Sequence, residues 1–154
     1  MIKQTRLIVS TFILSLISFC ASADHLVVKN AWIPEAPPVT SVMAAFMVIE
    51  NNSNHATKIV SISSKDFDRI EMHLSKEENG IARMIPQTAL TVPAQGKLKL
   101  EHGSYHLMLF KPQRRLLDGD KTTLHIKLAS GDSFAVDFAI EKSAMQMDHS
   151  QHQH

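Results

Sequence analysis

Two histidines and two methionines in one stretch carry the chemistry of this 154-residue chain. Glu71-Met72-His73 is followed by Arg83-Met84 and then by Tyr105-His106-Leu107-Met108. Ten residues separate His73 from Met84, twenty-one separate Met84 from His106, and one separates His106 from Met108. Thioether sulfur is a soft, neutral donor that suits a soft, singly charged ion, and imidazole adds stronger donation, so the set points to Cu(I). Hard cations such as Mg²⁺ and Ca²⁺ select oxygen instead. Zinc sites use thiolate, imidazole and carboxylate. A thioether carries no proton, so only the two imidazoles make binding pH-dependent.

These four residues can meet only if the elements around them are strands in the right register. His106 and Met108 are two apart and share one face of a strand, with Leu107 on the other. Asn79-Gly80, just before Ile81, is a strong hairpin signal. As a two-residue loop it pairs Met84 with Ser75 and leaves it diagonal to His73; a four-residue loop over Glu77 to Gly80 sets Met84 opposite His73. Both registers place His73 and Met84 on one face and Met72 in the core, whereas a three-residue loop separates them.

The set His73, Met84, His106 and Met108 resembles the signature of the periplasmic copper chaperone PCu(A)C family, small secreted proteins with a cupredoxin-like β-sandwich. The resemblance runs from about Val27 to Ile140. It includes Asn30-Ala31-Trp32, Ala36-Pro37-Pro38, Ala44-Ala45-Phe46, Asn51-Asn52, Val92-Pro93-Ala94 and, above all, Gly103-Ser104-Tyr105-His106-Leu107-Met108-Leu109. The chain departs from the pattern at Pro34, where such proteins often carry a basic residue. It departs again at His102, where the turn before the ligand strand often has proline. The resemblance implies a copper chaperone whose acceptor is the dinuclear copper centre of cytochrome c oxidase, alongside a thiol-containing assembly partner. Any membrane contact would then come through a membrane-bound partner.

The elements ahead of the site begin with a leader. Lys3 and Arg6, the apolar run Leu7 to Phe19 and the small residues Ala21-Ser22-Ala23 read as a secretory signal peptide over residues 1–23. This places the mature chain in the periplasm. The apolar run is short for a membrane span. Lipidation at Cys20 is the rival, opposed by bulky Phe19 where lipoprotein processing takes a small residue. Cleavage after Ala23 removes the only cysteine and two of the 16 basic residues, leaving 14 against 15 acidic ones and a formal charge of −1. That balance gives no footprint for nucleic acid. Without a thiolate, a blue-copper electron-transfer site cannot be assembled. In an oxidising compartment a carrier built on thioethers also avoids capture as a disulfide.

Residues 24–140 then form one all-β domain, a cupredoxin-like antiparallel sandwich of Greek-key type. Nine strands are expected, at 26–33, 41–50, 57–63, 68–74, 81–85, 97–101, 105–111, 122–128 and 133–140, divided by Gly80, Gly96, Gly103, Gly119 and Gly131. The strand at 41–50 is apolar on both faces, with a helix as its rival; Met43 and Met47 are expected to be packing. Trp32 reads as core packing. His25, His55 and His125 read as surface, and His102 as a surface residue near enough to His106 to support it. Residues 141–154 change composition to a polar tail that carries Met145, Met147, His149, His152 and His154. Such a tract need not fold to bind metal, and its imidazoles prefer Cu(II). No nucleophile with an adjacent base, phosphate loop or carboxylate pair suggests an enzyme. Delivery of copper and plain sequestration in the periplasm both fit the donor set.

Overall fold

The computed structural model describes residues 25–142. Among the described residues there are ten strands and no helix: β1 (Leu26–Pro34), β2 (Val42–Asn51), β3 (Thr57–Ser63), β4 (Phe67–Glu78), β5 (Ile81–Gln87), β6 (Leu90–Val92), β7 (Gly96–Leu100), β8 (Tyr105–Pro112), β9 (Lys121–Leu128) and β10 (Ser133–Glu141). They hydrogen-bond in the order β5-β4-β8-β7-β2-β1-β10-β9-β3-β6, with β8 also pairing β2. The two ends of this order meet across the interior, β3 against β4 and β6 against β7 and β2. The sheet therefore folds over a single core.

That core follows strand alternation. Met43, Ala45, Met47 and Ile49 of β2 point inward with Leu107 and Leu109 of β8, Leu124 and Ile126 of β9, and Phe138 and Ile140 of β10. Met72 joins them from β4, as its alternation with His73 requires. The 41–50 segment is a strand, not a helix, and Phe46 is buried on its other face.

Three features differ from the expectation of nine antiparallel strands. The three-residue β6 is additional; its buried Leu90 and Val92 pair it to β3, a contact too short and too distant in sequence to leave a periodic signal. β1 pairs β10 in parallel, and β7 meets β8 in parallel at Leu100 and Tyr105. Finally, β10 runs on through Glu141, so the sandwich extends one residue into the segment read as tail.

Two local irregularities set up the site. Asn79 and Gly80 both take positive φ, 54° and 75°, the geometry a two-residue hairpin loop needs to match the strand twist. In β1 an extra residue between Lys29 and Trp32, with Asn30 at φ 51°, makes a bulge that re-aims Trp32 to pair with Phe46. Trp32 consequently stands against Phe46 with ring centroids 5.3 Å apart.

Candidate metal centre

β4 and β8 run antiparallel with His73 paired directly to His106 and Glu71 paired to Met108. On the other side of β4, Ser75 pairs Met84, the register of the two-residue loop, and on the other side of β8, Met108 pairs Ala44. Paired residues share a face, and so do residues two apart. His73, Met84, His106 and Met108 therefore stand on one face, outside the core layer of Met72 and Leu107. A cavity of about 320 Å³ opens there, with Met84, His106 and Met108 in its wall beside Phe46, Ser75 and His102. His73 does not line it. It lies at the flank, with its ring centroid 6.0 Å from that of His106.

Burial differs among the four. His73 and His106 are 7% and 6% exposed, whereas Met84, on the outermost strand, is 60% exposed. A buried imidazole must find partners for its ring nitrogens. His106 Nδ1 lies 3.1 Å from the Ser104 carbonyl. A carbonyl can only accept, so Nδ1 carries the proton and Nε2 is the basic nitrogen. His73 Nε2 lies 2.9 Å from Glu71 Oε2. The Arg69 guanidinium, donating to Glu71 Oε1 at 2.8 Å, holds the Glu71 carboxyl below its ordinary range, with His73 reinforcing the effect. Glu71 is thus an ionised acceptor. Nε2 of His73 donates to it, leaving Nδ1 basic, buried and without a partner among the described residues.

One ring nitrogen fixed by an oxygen, the other left with a free lone pair, is how metal-binding histidines are held. An ion about 2 Å from a nitrogen of each ring fits between centroids 6.0 Å apart. The residues present therefore fit a soft ion bound by two imidazoles and two thioethers. They do not fit a zinc or calcium centre, because among the described residues no three His, Cys, Asp or Glu side chains gather in a metal-holding group.

Sequence reasoning gave Glu71 and Ser104 no role and gave His102 a minor one. The spacing Arg69, Glu71, His73 along one strand face was the available signal for the first. The Ser104 contact is made by backbone and leaves no trace in residue type. His25, His55 and His125 are exposed, as expected. Met145, Met147, His149, His152 and His154 lie outside the described residues.

Solved structures of similar shape include PCuAC domains. The copper-bound PCuAC domain from PmoF2 matches with a TM-score of 0.66 and 13% identity over 77% of this chain and 94% of that one. The Cu(I) form of DR1885 from Deinococcus radiodurans matches with a TM-score of 0.60 and 26% identity over 80% of this chain and 85% of that one. The all-β fold is thus that of the PCuAC domains. In sequence, "Putative lipoprotein Lxx21020" of Leifsonia xyli subsp. xyli is 25% identical over 115 residues, covering 74% of this chain and 68% of the relative. The family model described as "Putative lipoprotein LpqE-like" matches residues 26–140, three quarters of the chain and all but the last residue of the sandwich, and on that match the chain belongs to the LpqE-like family.

Proposed function

We propose that the chain is an extracytoplasmic copper carrier that holds Cu(I) with His73, Met84, His106 and Met108 and passes it to a protein acceptor. The observation that carries this reading is the orphaned Nδ1 of His73, buried beside His106 in a pair whose other nitrogens are already held by oxygens. A free lone pair buried without a partner is costly unless something binds it. The copper-bound and Cu(I)-bound forms of the structural neighbours support copper as the cargo. The lipoprotein description of the sequence relative supports a place in the cell envelope.

The ligand set suits transfer. Two neutral thioethers and two imidazoles hold Cu(I) without thiolate, so a cysteine-bearing acceptor can outcompete them. Met84, on the edge strand and exposed, is the donor that such a partner meets first. Its release opens one coordination position to the acceptor. Assembly of the copper centre of cytochrome c oxidase, directly or through a thiol-containing factor, is the acceptor that the family resemblance implies.

An anaerobic Cu(I) competition titration tests the site. His106→Ala is expected to weaken Cu(I) binding by at least 100-fold while the circular dichroism of the sheet is retained. Parent-like affinity in that variant overturns the assignment.

A further inference from the structure

We infer that His102 is a fifth copper donor, placed at the mouth of the cavity. This inference rests on the copper reading above but concerns a residue outside the four-donor set. Its starting point is a mismatch: His73 does not line the cavity, whereas His102 does, beside Met84, His106 and Met108. The donors that an incoming ion can reach from solvent are therefore one histidine short of the buried set, and His102 supplies an imidazole there.

Its position is fixed by the fold. The turn from Glu101 to Ser104 is closed at both ends, Ser104 N donating to Glu101 O at 3.2 Å and Glu101 N to Tyr105 O at 2.8 Å. Gly103 takes φ 76°, a conformation that L side chains rarely adopt. The His102 ring packs against Phe46, tilted by 43° with centroids 4.2 Å apart, and meets Trp32 edge-on at 6.3 Å. Trp32 is there because of the bulge in β1. An exposed side chain is thereby held in one place at little further entropic cost on binding. No described residue hydrogen-bonds to the ring, so neither nitrogen is committed elsewhere.

The chemistry follows from having one donor more than a four-coordinate ion uses. Copper entering at the mouth is taken by His102 with the two thioethers and His106, then exchanges His102 for the buried Nδ1 of His73. On release the order reverses, and the ion is never held by fewer than three donors. Aromatic packing without any metal role is the competing account of the same contacts.

His102→Phe separates the two, because phenylalanine keeps the packing on Phe46 and Trp32 but has no donor. In the full chain the variant is expected to take up Cu(I) from a Cu(I) chelate about tenfold more slowly and to release it correspondingly more slowly, with equilibrium affinity close to the parent's and Trp32 fluorescence unchanged. In the parent, the His102 ring ¹⁵N resonances are expected to shift during the first equivalent of Cu(I). Parent-like uptake and release rates in the variant, together with unmoved His102 resonances in the parent, overturn the inference. That failure is distinguishable from failure of the four-donor reading, in which His106→Ala and Met108→Ala also leave Cu(I) binding unchanged.

Discussion

Glu71 decides which nitrogen of His73 is free, and its own position is set by a neighbour two residues back. Arg69 packs its guanidinium 3.8 Å from the centroid of the Phe110 ring and donates to Glu71, which in turn accepts from His73. Removing the carboxylate leaves His73 free to rotate or change tautomer, so the lone pair is no longer presented. Oxygen partners of ligating histidines typically matter by about 10- to 100-fold in affinity. Glu71→Ala is accordingly expected to lower Cu(I) affinity within that range, and ring ¹⁵N shifts of His73 are expected to change in the metal-free protein. Met84 provides the contrasting case. It is mostly exposed, so Met84→Ala is expected to move stability by no more than about 0.5 kcal/mol in chemical denaturation, while Cu(I) affinity falls at least tenfold. At this scale the shared face of His73, Met84, His106 and Met108 was legible from sequence, because their spacing on paired strands brings them together. Burial was not legible. Nothing in residue type says that His73 and His106 are enclosed while Met84 stands at the surface.

The β4–β5 hairpin turns sequence spacing into a site. Asn79 and Gly80 adopt the two positive φ values that a two-residue loop demands, and this fixes Ser75 opposite Met84. Side chains alternate with a period of two, so a slip of one residue moves every β5 side chain to the opposite face. Inserting one glycine between Asn79 and Gly80 is therefore expected to turn Met84 away from His73 and to reduce Cu(I) affinity as far as Met84→Ala does. The fold should persist, because β5 contributes no residue to the buried core. Comparison of Cu(I) titrations for the insertion and the substitution checks this, and undiminished affinity in the insertion would show that the register does not set the site. The shared face of Met84 and His73 could be read in advance, because the two-residue and the four-residue loop both produce it, while the choice of the two-residue register rests on the observed pairing of Ser75 with Met84. The bulge at Asn30 could not, since it is visible only once the partner strand β2 is known. The parallel pairing of β1 with β10 was hidden for the same reason, with more than a hundred residues of sequence between the partners.

Across the whole molecule, the core and the site occupy opposite faces of the same strands. Met72 and Leu107 point inward while His73 and His106 point outward, so stability and binding can be altered separately. Phe138 is fully buried on β10, away from the site, and Phe138→Ala is expected to cost about 3–5 kcal/mol. Denaturant titration measures that loss, and at concentrations where the variant remains folded its Cu(I) affinity should match the parent. The same separation applies to the chain end. Ile140 is the last core residue among those described, and Lys142 caps the strand through Asp118, its backbone N donating to the carboxylate at 3.2 Å. Ending the chain after Lys142 keeps every described core side chain and all four proposed donors, yet it deletes Met145, Met147, His149, His152 and His154. Beside the chain from Asp24 to His154, the shortened form is expected to bind one Cu(I) with equal affinity and to lack only further, weaker copper equivalents. If shortening instead weakens the first equivalent, the donors of the sandwich are incomplete by themselves and the terminal histidines and methionines belong to the same centre. That result would favour copper retention over delivery, because an ion enclosed by additional donors from its own chain is harder for an acceptor's thiolates to reach.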